Sequence, residues 1–284
     1  MGHKESLQEK LKGQLTKEEI KILPKSYQRL GHCLILRLAK ELQSKKKEIG
    51  EASIDLVPGI KTVCVNTGKV EGEFRQPSIE IAAGEKNTLV EHHEHGCTFR
   101  FDITKLMWSM GNMNERKRMY QNVKKGETII DCFAGIGYWS IPICKHSKPK
   151  KVYAIDSNPD ATTALKENKK LNKISDETLT IIHGKCEEQG EKLKEKADRI
   201  ILGYLPAPKF ALSASIEMLK PTGGIIHYEG VCEKEKFDEL FRDVEEEAEK
   251  QNKKAELIHA QPVKSVAARK WHYVLDVKII PRNG

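Results

Sequence analysis

The chain has 284 residues, with 49 Lys and Arg against 41 Asp and Glu, giving a formal net charge of +8 and a pI near 8.9. That length holds a large core and has room for two domains, and no run approaches the roughly 18 apolar residues that a membrane-spanning helix needs. Seven cysteines, at 33, 64, 97, 132, 144, 186 and 232, form no C-x-x-C pair, which excludes a spelled zinc ribbon or dithiol redox motif and implies free thiols in a reducing, cytoplasmic compartment. The modest basic excess suits a polyanionic partner.

In chain order, residues 1 to 23 read as a charged helix with a capping pattern from Thr16 to Glu19. Gly31 to Leu42 has a period between strand and helix. Short β segments follow at Thr62 to Asn66, Ile79 to Ala82 and Thr88 to His92, punctuated by Gly68, Gly72, Pro77 and Gly84. These elements predict a small α+β domain over residues 1 to 95. Within Glu91 to His95 the run EHHEH alternates across a strand, so His92 and His93 face opposite sides and no metal site is expected. His95 to Trp108 adds a strand and leads into NMNERKRMYQNV, a helix carrying Arg116 and Arg118.

From Glu127 the pattern changes. Ile129 and Ile130 suit a buried parallel strand ending at Asp131; Gly135 and Gly137 then allow close backbone approach before a helix that starts near Tyr138. A second apolar strand, Val152 to Asp156, ends in a carboxylate about 20 residues after the glycines, the offset for a ribose contact. Further strands are expected at Thr178 to His183, Asp198 to Leu202, Gly224 to Tyr228 and Tyr273 to Ile280, with helices at Asp160 to Asn172 and Glu233 to Asn252. The alternation predicts a parallel, doubly wound α/β sheet over residues 96 to 284. A dinucleotide site would want a third glycine, where this chain has Ser140.

The order acid, aromatic, small, Gly, x, Gly in DCFAGIG resembles the first motif of class I S-adenosylmethionine-dependent transferases, which have a Rossmann-like sheet. Together with WSMGNMNERKRM and the fourth-strand segment DRIILGYLPAP, it resembles the archaeal and eukaryotic tRNA wybutosine-synthesising enzymes that transfer a 3-amino-3-carboxypropyl group. The resemblance covers roughly residues 20 to 280. The related tRNA guanine ring-nitrogen methyltransferases carry Asn-Leu-Pro at the fourth strand, where this chain has Gly203 and then Tyr204-Leu205-Pro206, and that departure favours the aminocarboxypropyl branch.

The resemblance implies a cofactor and a site. S-adenosylmethionine is the expected group donor, with Asp131 toward its ammonium end, Phe133, Ala134, Gly135 and Gly137 around its methionine part, and Asp156 with Ser157 at the ribose. The third-strand loop lacks the usual adenine Asp, leaving backbone groups of Lys185 and Cys186. Arg116 is the expected holder of the methionine carboxylate, since a guanidinium grips a carboxylate bidentately, with Ser109 close by in sequence; the other reading of Arg116 is a surface arginine paired with Glu115 or a neighbour. Tyr138 and Trp139 are expected to stack on an extruded base, beside a pocket wall of Tyr204, Leu205 and Pro206. No catalytic base is assigned. The implied substrate is the tricyclic 4-demethylwyosine beside the anticodon of phenylalanine tRNA, modified at carbon 7, with the protein a monomer and neither membrane nor metal involved. The basic runs Lys145 to Lys151 and Lys264 to His272, with Lys10, Lys12, Lys45, Lys46 and Lys47, are candidate phosphate contacts. The alternatives are a guanine methyltransferase at the same tRNA position and a non-catalytic RNA-binding module.

Overall fold

The computed structural model describes residues 6–68 and 76–282; residues 1 to 5 of the expected first helix and the expected break at Gly72 lie outside them. The chain divides into two compact units, Met1–Met110 and Gly111–Gly284. The boundary expected after residue 95 falls at the turn of a hairpin whose strands lie within the first unit.

In the first unit the single N-terminal helix is instead two short ones, α1 (Leu7–Lys10) and α2 (Lys17–Lys21). Each starts at its own reciprocal capping box, Ser6 with Glu9 and Thr16 with Glu19, so two start signals divide one charged stretch. The Gly31 to Leu42 stretch becomes a buried strand followed by a 3-10 turn. Strands β1 (Gln28–Leu30), β2 (Cys33–Leu36), β3 (Thr62–Asn66) and β4 (Ile79–Gly84) form one sheet in that order, with helix α3 (Lys46–Leu56) packed on it. A separate hairpin pairs β5 (Leu89–Glu94) with β6 (Cys97–Asp102). The core gathers Leu34, Leu36, Leu42, Ile49 and Val63.

The second unit opens with α4 (Met113–Asn122) and then alternates: β7 (Thr128–Asp131), α5 (Ser140–His146), β8 (Lys151–Asp156), α6 (Pro159–Leu171), β9 (Leu179–His183), α7 (Gly190–Leu193), β10 (Arg199–Leu202), α8 (Leu212–Met218), β11 (Gly224–Glu233), α9 (Asp238–Lys250), β12 (Lys253–Ala267) and β13 (Lys270–Pro281). The sheet order is β12-β13-β11-β10-β7-β8-β9. Five strands, β11 through β9, are parallel, as the βα alternation requires. The two at the edge are not: β13 runs antiparallel to β11, and β12 antiparallel to β13. The tight connection between Ala267 and Lys270 permits only a hairpin. Strand β12 escaped the sequence reading because its second half, QPVKSVA, is polar and largely exposed. Helix α9 also starts later than expected, because β11 continues to Glu233.

Order reverses between β7 and β10, the switch point whose carboxyl-end crevice takes the ligand in open α/β sheets. Charge is buried beneath it. Arg118 donates to both Glu115 oxygens at 2.7 and 2.8 Å and to Asp276 at 2.5 and 3.0 Å. Asp276 Oδ1 also lies 2.6 Å from His227 Nδ1, and His227 Nε2 lies 2.6 Å from Arg199 Nη1, which a neutral imidazole satisfies by accepting from Arg199 and donating to Asp276. Burial lowers the His227 pKa, in keeping with that neutral form. Arg199 in turn holds Glu127 at 2.9 Å. The chain of contacts ties α4 to β13, β11 and β10. Removing one cation leaves its carboxylates buried and uncompensated, so Arg118→Met is expected to cost about 3–5 kcal/mol of unfolding free energy in urea denaturation. A loss below about 1 kcal/mol would mean the network is not needed to hold α4.

Candidate active site

Asp131 ends β7 fully buried. Its Oδ2 accepts the Ser140 hydroxyl at 2.6 Å, and its Oδ1 has no hydrogen-bond partner among the described residues. Burial pushes its pKa up to about 7, against the lowering effects of the Ser140 hydroxyl and the Phe133 amide, and the charges of Asp156 and Glu229 push the same way as burial. Ser140, standing where a third glycine was looked for, is thus a donor to this carboxylate.

The glycines are required by geometry. Gly135 and Gly137 have φ of +54° and +97°, and a Cβ on Gly137 would come within 2.5 Å of Ile141 and 2.6 Å of Leu165. Phe133 and Gly135 are half-buried, and Ala134 is buried. Asp156 ends β8 and accepts the Gly135 amide on Oδ2 at 2.7 Å and the Asn158 amide on Oδ1 at 2.9 Å. Those bonds aim the carboxylate and leave acceptor capacity on each oxygen for ribose hydroxyls. Ser157 follows it, half-buried.

Lys185 is exposed, whereas the Cys186 side chain is buried in the sheet's core, so only its backbone can face a ligand. The Tyr138 ring packs over Gly135, and Trp139 is buried with its indole nitrogen beside Gly203 at the end of β10. Tyr204 and Leu205 are half-buried and Pro206 is exposed after a cis peptide. Tyr204 joins Phe133 and Phe210 in an aromatic cluster, with ring centroids 5.1 to 5.9 Å apart. Phe210 is more than half exposed, and the sequence reading missed it because nothing local marks it. Arg116 is among the largest fully buried side chains, which corrects the alternative reading of it as a surface arginine, and Glu115 accepts from Arg118. Ser109 belongs to the first unit and is half-buried there.

Two further polar residues lie at this edge: Glu229, midway along β11 and one residue past the level at which β10 ends, and its partner His272, both buried. Glu229 sits in a strand without a motif, and His272 closes the basic run Lys264 to His272, where its burial removes it from the candidate phosphate contacts. Among the described residues no group of three His, Cys, Asp or Glu is placed to hold a metal ion, and no helix is long and apolar enough to cross a membrane.

A family profile described as the TRM5/TYW2 methyltransferase domain matches residues 90–258, and one described as the TYW2 N-terminal domain matches residues 7–88. The chain belongs to the TRM5/TYW2 family. A Methanocaldococcus jannaschii relative, tRNA(Phe) (4-demethylwyosine(37)-C(7)) aminocarboxypropyltransferase, is 38% identical over 89% of this chain and 97% of its own length. A Pyrococcus abyssi tRNA (guanine(37)-N(1))-methyltransferase, Trm5b, is 32% identical over 91% of this chain and 76% of its own. The crystal structure of Pyrococcus horikoshii TYW2 in complex with MeSAdo superposes with a TM-score of 0.83 at 30% identity, covering 96% of this chain and 98% of that one.

The TRM5/TYW2 cofactor, S-adenosylmethionine, fits the residues present here. It is a cation, and the crevice offers a buried carboxylate oxygen lacking a donor, a glycine cradle and a carboxylate aimed for ribose. In the ligand-free protein the raised Asp131 pKa sets a sign. The unfolded chain releases this proton near 3.8 and the folded protein near 7. The protonated group's contribution is therefore complete below about 4 and is lost as pH rises toward 7. Asp131→Asn is expected to remove that slope, so the variant gains a few kcal/mol relative to wild type between pH 4 and pH 8 in urea denaturation. A constant difference across that range would contradict the assignment.

Proposed function

We propose that this chain transfers the 3-amino-3-carboxypropyl group of S-adenosylmethionine to carbon 7 of 4-demethylwyosine in phenylalanine tRNA, releasing methylthioadenosine. One observation carries the choice of branch: the match to the TYW2 N-terminal domain over residues 7–88, joined to near full-length similarity with an aminocarboxypropyltransferase. The Gly203-Tyr204 pair, which supplies no amide at the fourth strand, agrees with it.

The donor is a sulfonium whose three attached carbons are all electrophilic, so the group transferred depends on which carbon is held in line with the nucleophile. The residues' work is therefore orientation. Asp131, with Phe133, Ala134, Gly135 and Gly137, receives the ammonium side; Asp156 and Ser157 take the ribose; the Lys185 and Cys186 backbone borders the adenine. Arg116 holds the carboxylate, and its burial favours this role because a desolvated guanidinium grips a carboxylate strongly. Ser109 assists it. The extruded base rests against Tyr138, Tyr204, Leu205 and Pro206, with Phe210 widening the aromatic surface and Trp139 backing it. An electron-rich ring carbon needs no base to attack, and its proton leaves afterwards. The first unit and the basic runs hold RNA phosphates. The protein works as a monomer in the cytoplasm, where its seven free cysteines stay reduced.

Single-turnover incubation with S-adenosylmethionine and tRNA carrying the tricyclic base, followed by mass spectrometry, tests this. An added aminocarboxypropyl group with methylthioadenosine is expected. A methyl gain with S-adenosylhomocysteine would place the chain among the methyltransferases. Arg116→Ala is expected to lower kcat/KM for the transfer by about 100-fold, the scale of a lost charge-assisted contact.

A further inference from the structure

Strands β10 and β11 are parallel with Leu202 level with Tyr228, so Glu229 stands beside Gly203 at the edge where β10 opens into the crevice. Glu229 is 3% exposed. Its Oε2 accepts from His272 Nε2 at 2.8 Å, which fixes the carboxylate's orientation. Its Oε1 is buried with no hydrogen-bond partner among the described residues. A Cβ built on Gly203 would lie 3.2 Å from that oxygen and 2.9 Å from Trp139 Nε1, so the missing side chain is what lets the carboxylate and the indole approach the end of β10.

Asp131 Oδ1 is in the same condition at the end of β7, next but one to β11 in the sheet. The charge on Glu229 contributes to the raised pKa of Asp131 and of Glu115, as expected of carboxylates sharing one poorly solvated region. A buried anionic oxygen without a donor is costly, and two at the same edge of the sheet call for a cation that carries N–H groups.

We propose that Glu229 is a second anchor, with Asp131, for the ammonium of the donor's aminocarboxypropyl chain. The inference rests on the function proposed above and deepens it. An ammonium has three N–H donors and can satisfy both bare oxygens, while Arg116 takes the carboxylate at the other end. Holding the chain at both ends fixes which carbon is presented to the base, so Glu229 is a positioning residue for the choice between aminocarboxypropyl and methyl transfer. His272 acts through Glu229 by keeping its carboxylate turned toward Gly203.

Titration calorimetry tests this with three ligands: S-adenosylmethionine, methylthioadenosine, which lacks the whole chain, and a deamino analogue that keeps the sulfonium and carboxylate. Glu229→Gln is expected to weaken S-adenosylmethionine binding by about 10- to 100-fold while changing the affinity for the other two by less than about twofold. Retained methylthioadenosine binding also shows that the variant is folded. Unchanged S-adenosylmethionine affinity, or an equal loss for all three ligands, would overturn the proposal. If Glu229→Gln does not fold, Glu229→Asp replaces it: a loss confined to the amine-bearing ligand supports the anchor and a uniform loss overturns it. Failure of the wild-type protein to bind S-adenosylmethionine at all would instead refute the functional reading on which the anchor rests.

Discussion

Two carboxylate oxygens, Asp131 Oδ1 and Glu229 Oε1, are buried at the carboxyl edge of the second unit's sheet without a donor among the described residues. Ser140 takes the other Asp131 oxygen and His272 the other Glu229 oxygen, so each side chain is half satisfied and fixed in direction. The protein has spent stability on a place that only a cationic ligand completes, as strained and desolvated groups at functional sites commonly do.

The scaffold explains how that is sustained. The strand order reverses between β7 and β10, which sets the glycine loop and the Gly203-Tyr204 loop side by side at the switch point, where Phe133 and Tyr204 pack together. Beneath it the Glu115, Arg118, Asp276, His227, Arg199 and Glu127 contacts alternate in charge, and neutral His227 joins the two cationic centres. Arg118 and Asp276 draw α4 onto the antiparallel strand β13, which gives the edge hairpin a task at the site rather than a peripheral one. Because α4 also carries Arg116, this ionic chain and the proposed carboxylate grip depend on the same helix.

Much of this was legible from residues. The DCFAGIG turn and the carboxylate after the next strand have a local geometry that few sequences satisfy by accident, and both fall where a cofactor needs them. The parallel strands are short apolar runs between helices, the pattern a doubly covered sheet imposes. What stayed hidden depends on contacts distant in sequence. Strand β12 is polar along its exposed half, so it carries no strand signal until β13 pairs with it. Glu229 and His272 lie on different strands, 43 positions apart, and only the β11–β13 register brings them together. Arg116 stands in a run of charged residues that leaves a surface position open as an alternative, and only its burial in the folded unit removes that alternative.

The central claim is that the crevice is an incomplete anionic site made whole by the donor's positive charge. Calorimetric titration of S-adenosylmethionine at pH 7 in buffers of differing ionisation enthalpy measures it most directly, because a cation arriving beside Asp131 drives off the proton that this group, with its pKa near 7, still partly holds. The account predicts release of a fraction of a proton on binding at pH 7, growing toward one as the pH falls to about 6. Binding that exchanges no proton at either pH would contradict it.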